Sequence, residues 1–300
     1  MSTADWTRGN LLLLGSRGML ARDLIPLLQT RLASAPGAEL VAVDKEELDI
    51  TDRRALIEAV RRVSPRVVIN TAACTDVDGC EARVEEAMAV NAQAPAHLGE
   101  ACQAGGSRLV HLSSDFIFDG QADRPYRPED AAQPLSVYGQ SKWEGEQAVR
   151  ASGCHYLILR TSWLFGLHGR NFVEAILARA RAGETLRVVD DQVGRPTFTA
   201  DLGNAILRLL DVKAEGLVHF ANAGQCSWHQ FAEAILREAG LNVPVQAISS
   251  RELGRPARRP AYSVLDLSRY TELTGQVPPA WPDALHRYFQ ARRLLHSEQG

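Results

Sequence analysis

The sequence predicts an α/β fold: a doubly wound parallel sheet followed by a smaller, irregular C-terminal lobe. Three observations carry the prediction. Short apolar runs recur through the first half of the chain, at Leu11–Leu14, Glu39–Val43, Arg66–Asn70, Leu109–Ser113 and Tyr156–Arg160. Longer segments with helical periodicity, such as Ala55–Val63 and Val84–Gln103, lie between them. The runs are apolar nearly throughout, as parallel strands covered on both faces are. Strand and helix in alternation, with right-handed crossovers, wind such a sheet from its middle outward.

The elements follow in order. Leu11–Leu14 is the first strand, and Gly15-Ser16-Arg17-Gly18-Met19-Leu20-Ala21 leads directly from it into the first helix. That helix contains Pro26, which removes a hydrogen bond and favours a kink, but Leu24, Ile25, Leu27, Leu28 and Leu32 continue its apolar face. A glycine turn between first strand and first helix is the setting of a dinucleotide-binding loop. Gly15 permits the tight turn and Gly18 lets the backbone approach a pyrophosphate at the helix N-terminus. Residues 1–165 thus read as a Rossmann-like NAD(P)-binding domain. After about Gly166 the alternation weakens. Asn171–Arg181 and Trp228–Ala239 read as amphipathic helices, and Arg251–Pro260, rich in Arg and Pro, reads as a loop. Residues 166–300 are expected to form mainly a substrate-binding lobe, with a segment near 195–215 returning to the first domain.

Bulk properties exclude several function classes. The chain has 300 residues, 45% of them hydrophobic, with 33 basic and 36 acidic residues and a net charge of −3. That mixture leaves no footprint for nucleic acid or a membrane surface. The longest apolar runs are far too short to span a bilayer, and the polar stretch Met1–Asn10 before four leucines does not make a signal peptide. Cys74, Cys80, Cys102, Cys154 and Cys226 include no Cys-x-x-Cys, so neither a disulfide framework nor a zinc site is expected, and the reducing cytoplasm is the natural compartment. No metal site is expected elsewhere.

Two signals on the cofactor oppose each other. Asp44, at the end of the second strand, can accept bonds from adenosine ribose hydroxyls and favours NAD, whereas Arg17 can pair with a 2′-phosphate and favours NADP. Tolerance of both, or a modest NADP preference, follows. Asp49-Ile50 places a carboxylate where it can meet the adenine amine or cap a helix. Ala72, Ala73 and Thr75, just beyond the third strand, are small enough for a backbone lying against a bound ribose and nicotinamide.

The chemistry concentrates at Ser114, Tyr138 and Lys142. Ser114 ends the fourth strand, and ligands in this architecture bind beyond strand C-termini. Tyr138 and Lys142 are four residues apart, on one face of a helix. A neighbouring ammonium is expected to lower the phenol pKa, with the serine hydroxyl polarising a carbonyl and the tyrosine donating a proton.

The set Gly15-x-x-Gly18, Asn70-x-Ala72-Ala73, Ser114 and Tyr138-x-x-x-Lys142 resembles the extended short-chain dehydrogenase/reductase superfamily. The stretches Asn70–Asp78, Ser114–Gly120, Arg160–Trp163, Asp191–Thr197 and Arg259–Leu265 narrow the resemblance to the dTDP-4-dehydrorhamnose reductase family. It implies reduction of the C4 ketone of a dTDP-4-dehydro-6-deoxy sugar by NADPH or NADH, by a monomer or homodimer. It implies that Asp115, Phe116, Trp163, Asn171, Gln192, Arg195 and Thr197 line the nucleotide-sugar pocket. Ser114 stands where the family usually has Thr, and Phe116 where it commonly has Tyr. Asp23 stands near the position of a metal-binding glutamate of some members, which places metal-dependent dimerisation in doubt. Other readings are a reductase or epimerase of another nucleotide sugar, or a non-catalytic NADP-binding subunit resembling the regulatory subunit of methionine adenosyltransferase. Dehydration is disfavoured, because Asp115 is followed by Phe116 rather than Glu.

Overall fold

The computed structural model describes residues 5–34 and 37–297; Met1 to Ala4, the start of the polar leader stretch, lie outside the described residues. In chain order the first half contains β1 (Leu11–Leu14), α1 (Met19–Leu32), β2 (Leu40–Val43), α2 (Arg53–Val63), β3 (Val67–Asn70), α3 (Val77–Ala82), α4 (Val84–Met88), α5 (Ala94–Gly105), β4 (Arg108–Ser114), α6 (Val137–Ala151) and β5 (His155–Thr161). The chain then enters the lobe through β6 (Leu164–Phe165), α7 (Phe172–Arg181), β7 (Leu186–Val189), β8 (Val193–Gly194) and β9 (Thr197–Phe198). It returns through α8 (Thr199–Asp211) and β10 (Gly216–His219), and finishes with β11 (Cys226–Ser227), α9 (Trp228–Glu238), β12 (Val245–Ile248), α10 (Ser250–Leu253), α11 (Ser268–Thr274) and α12 (Trp281–Ser297).

The central sheet is parallel throughout, in the order β10-β5-β4-β3-β1-β2. The order reverses between β1 and β3, which opens a crevice beyond their C-terminal ends. One face of the sheet packs on α1 and α8 through Leu24, Leu28, Leu202, Ile206 and Leu209. The other packs on α2 and α5 through Leu56, Val60, Leu98 and Cys102. The lobe has its own core, in which α7, α9 and α12 join β7 around Phe165, Phe231 and Tyr288.

Local chemistry accounts for the details. Pro26 is exposed and α1 runs through it unbroken, because the apolar face anchored by Leu24 and Leu28 holds the helix on the sheet. The expected single helix Val84–Gln103 is divided: a five-residue π turn, Ala89–Gln93, separates α4 from α5, and Pro95 stands at the start of α5. The Arg251–Pro260 segment is not wholly loop. Its first residues belong to α10, a single turn held by a capping box between Ser249 and Glu252.

Candidate active site

Gly15 has φ 79°, and a Cβ there would stand 2.8 Å from the Ala72 amide nitrogen, so glycine lets the loops after β1 and β3 meet at the crevice. The N-cap of α1 is Gly18, which provides no side-chain cap, whereas α2, α6 and α7 are capped by Asp52, Ser136 and Asn171. The first amides of α1 are thus left for an anion. They open on a cavity of about 810 Å³ walled by Gly15, Arg17, Gly18, Met19, Leu20, Asp44, Asp49, Ile50, Ala72, Ala73 and Thr75. Its far end is walled by Ser114, Asp115, Phe116, Tyr138, Lys142 and Trp163. A cavity of this size opening on uncapped helix amides fits a dinucleotide. Ser16 does not line this cavity; its N–H donates to the Val43 carbonyl at 3.1 Å.

At the Asp44 side of the cavity, the Arg17 N–H donates to the Asp44 carboxylate at 2.7 Å. The Arg17 guanidinium pairs with Glu46 at 2.9 Å and Glu47 at 3.0 Å. Asp49 accepts from both the N–H and the hydroxyl of Thr51, which holds its carboxyl below the usual range. Asp52, not Asp49, caps α2.

At the chemical end, α6 is seated closely. A Cβ on Gly139 would lie 2.2 Å from the Phe116 carbonyl oxygen, and one on Gly145 would lie 2.1 Å from that of Asn91. Beneath α6, the buried Arg160 of β5 makes a double hydrogen bond to Glu146 at 2.9 and 2.7 Å. This seating delivers Tyr138 against Ser114, with the Phe116 ring edge-on to the phenol at 5.5 Å. Lys142 is buried, and its ammonium donates to the Leu112 carbonyl at 2.6 Å. Burial lowers its pKa to about 8, with Glu146 opposing.

One expectation is corrected here. Lys142 is expected to lower the phenol pKa, but burial dominates and pushes Tyr138 above its ordinary value. The hydrogen bond with Ser114 pulls it back, while Asp115 adds to the rise. Tyr138 therefore holds its proton at neutral pH. Asp115 is itself buried between Ser114, which donates at 3.1 Å, and Ser263, which donates at 2.5 Å; burial raises its carboxyl to about 7.

A second cavity, of about 230 Å³, adjoins the first at Phe116 and Trp163. Gln192 lines it and donates to Ser250 at 2.8 Å. Trp163 stacks on Trp228 with ring centroids 3.6 Å apart. Four arginines complete the wall, each paired with a carboxylate: Arg179 with Glu184 at 2.8 Å, Arg187 with Glu252 at 3.9 Å, and Arg255 and Arg259 with Asp78 at 3.3 and 3.0 Å. These arginines and Trp228 escaped the sequence reading, and the Arg-rich stretch Arg251–Pro260 was the available signal. Three expected pocket residues are placed elsewhere. Asn171 caps α7 and donates to the Gly166 carbonyl at 2.8 Å. Thr197 is fully buried in the β6–β9 pair. Arg195 is half-buried, and its carbonyl accepts from Ser162 at 2.7 Å. Among the described residues no group of three or more His, Cys, Asp and Glu side chains is placed to hold a metal, and no helix is long and apolar enough to cross a membrane.

A parallel sheet with a dinucleotide-sized cavity at its switch point, ending on a Ser–Tyr–Lys cluster, defines the extended short-chain dehydrogenase/reductase class. The family model described as RmlD substrate binding domain matches residues 9–294. The chain is 40% identical to the dTDP-4-dehydrorhamnose reductase of Streptomyces griseus, over 96% of this chain and 95% of that protein. It is 37% identical to the dTDP-4-keto-6-deoxy-D-glucose reductase of Streptomyces niveus, over 96% and 98%. Among solved structures, the dTDP-4-dehydrorhamnose reductase of Bacillus anthracis in complex with NADP superimposes with a TM-score of 0.90 at 33% identity, covering 95% of this chain and 99% of that one. The chain belongs to the dTDP-4-dehydrorhamnose reductase family.

Proposed function

We propose that this protein reduces the C4 ketone of a dTDP-4-dehydro-6-deoxy sugar, dTDP-4-dehydrorhamnose to dTDP-L-rhamnose, with NADPH or NADH. The observation that carries the reading is the meeting of Ser114, Tyr138 and Lys142 at the end of the larger cavity, next to the arginine-lined smaller one. When bound, the dihydronicotinamide supplies the hydride. The Ser114 hydroxyl and the Tyr138 phenol hold the ketone oxygen, and Tyr138 gives it a proton, a role suited to a phenol that stays protonated at neutral pH. Lys142 keeps positive charge beside the ribose. Gly15, Gly18, Met19 and Leu20 hold the pyrophosphate, Ala72, Ala73 and Thr75 back the nicotinamide half, and Asp44, Asp49 and Ile50 receive the adenosine.

Arg17 is exposed and its ion pairs are surface pairs, which cost little to exchange for a 2′-phosphate. Either cofactor is accommodated on that basis. In the smaller cavity the arginines face the diphosphate and Trp163 faces the sugar. Both cavities are built from one chain, so a monomer or a homodimer serves equally. The testing experiment follows NAD(P)H oxidation at 340 nm with dTDP-4-keto-6-deoxy sugars against their UDP analogues, with NMR of the product. Turnover with a newly reduced C4 is expected; no oxidation with any 4-keto sugar would refute the proposal.

A further inference from the structure

The loop between β3 and α3 carries two cysteines that the reductive chemistry does not use. The sulfurs of Cys74 and Cys80 are 3.5 Å apart, and both thiols are free. Cys74 is half-buried on the wall of the larger cavity, between the Ala72–Ala73 backbone and Thr75. Cys80 is fully buried on α3. We propose that this pair is an oxidative modification site: a peroxide converts the two thiols to an intramolecular disulfide, and the cross-link weakens binding in the larger cavity.

The step balances. Peroxide oxidises the accessible Cys74 thiol to a sulfenic acid and leaves as one water. The Cys80 sulfur attacks the sulfenic sulfur, the S–S bond forms as the S–O bond breaks, and the Cys80 proton leaves with that oxygen as a second water. Two thiols are oxidised and one peroxide reduced. Burial pushes the Cys80 thiol up to about 12, so Cys80 is not the sulfur oxidised first, and its attack on the sulfenic sulfur rests on the 3.5 Å approach of the two sulfurs.

The cross-link reaches the site because both cysteines sit on clasped backbone. The sulfurs have to close from 3.5 Å to about 2.05 Å. The Cys74 backbone is held at both ends by Asn91 of the π turn, its N–H donating at 2.9 Å and its carbonyl accepting at 3.0 Å. Asn91 also donates to Ser141 at 3.0 Å, and Ser141 donates to the Tyr138 carbonyl at 2.8 Å. On the other side, Glu81, next to Cys80, accepts the N–H of Val137, the first residue of α6, at 2.9 Å. Contraction between the sulfurs therefore pulls on the loop under the nicotinamide half of the cavity and on the helix start that presents Tyr138.

The effect on binding rests on reading the larger cavity as the NAD(P)H site; the disulfide itself does not. The full-length protein is treated with hydrogen peroxide, blocked with N-ethylmaleimide and digested with trypsin, which places both cysteines in the peptide 67–83. That peptide is expected to lose about 2 Da and to resist alkylation. NADPH affinity, read by fluorescence titration, is expected to fall by about tenfold and to recover with dithiothreitol. Cys80→Ala is expected to bind NADPH normally and, with peroxide, to form no cross-link, Cys74 instead going on to the sulfinic and sulfonic acids; should it not fold, Cys80→Ser takes its place. Preloaded NADPH is expected to slow labelling of Cys74 in the reduced protein. Over-oxidation of Cys74 without a cross-link in the parent protein overturns the proposal, as does a cross-linked protein that binds NADPH like the reduced one. Reduced protein that never binds NADPH sinks the functional reading instead, and the peptide map still decides whether the disulfide forms.

Discussion

Tyr138 and Asp115 both hold their protons above the ordinary range, and each leads to a measurable consequence. Tyr138→Phe removes the proton donor and keeps the ring, so kcat is expected to fall by about 10³-fold or more while NADPH affinity in a fluorescence titration stays within about twofold. Unchanged turnover would falsify the donor role. Lys142, lowered to about 8 by burial, loses its charge as pH rises through that value, so kcat is expected to decline on the alkaline side of about pH 8. Asp115 behaves in the opposite sense to a salt-bridged carboxylate. Its folded pKa of about 7 lies above the ordinary value of 3.8, so the folded state keeps the proton longer. Stability contributed by the protonated form is present below about pH 4 and is lost as pH rises to about 7. Asp115→Asn preserves an acceptor for Ser263 and removes the buried charge. It is expected to raise unfolding free energy by about 1–3 kcal/mol at pH 8, with little change at pH 4, while lowering kcat. Urea titrations at the two pH values check this.

Two elements set the geometry in which those side chains work. α6 approaches the turn after β4 and the π turn so closely that Gly139 and Gly145 have no room for a methyl group. Gly145→Ala forces α6 away from the Asn91 carbonyl and is expected to cost about 1–3 kcal/mol in thermal or urea unfolding, with kcat falling more than KM changes. A stability within about 0.5 kcal/mol of the parent would contradict that seating. The π turn Ala89–Gln93 has the same role from the other side. By widening one turn it lets Asn91 reach the Cys74 backbone and Ser141 together. In the sequence, Asn91 is one polar residue within an otherwise regular helical pattern. Hydrophobic periodicity reports which face is buried and not the hydrogen-bond spacing along it, so the π turn and the break between α4 and α5 left no trace in the pattern.

At the scale of the molecule, the sheet, α6 and the loop between β4 and α6 are tied by Arg160 and its buried ion pair. Arg160 is 1% exposed and Glu146 fully buried, and Arg160 also donates to the Pro128 carbonyl at 3.1 Å. Arg160→Leu leaves the Glu146 carboxylate without its partner and is expected to destabilise by about 3–5 kcal/mol, whereas breaking the exposed Arg53–Glu100 pair is expected to cost less than about 1 kcal/mol. A comparison of the two variants by urea unfolding reads the difference. The five strands from Leu11 to Arg160, the glycine turn after β1 and the Tyr138–Lys142 spacing were legible in the sequence, because each depends on neighbours a few residues apart. The sixth strand, β10, was not, since Gly216–His219, as short as β1 but bounded by Gly and His, is too mixed to declare itself without β5 beside it. The second cavity is the plainest case. Arg179 and Arg187 come from α7 and β7, Trp228 from α9, and Arg255 and Arg259 from beyond α10. The sequence by itself determined the fold class, the cofactor turn and the three groups at the chemical end, through local turn chemistry and the periods of helix and strand. Only the tertiary structure decided that the phenol keeps its proton, that Asn171, Arg195 and Thr197 are engaged in holding local backbone rather than lining a cavity wall, and that scattered arginines converge on one. Burial and convergence are properties of packing between distant segments, and no local pattern encodes them.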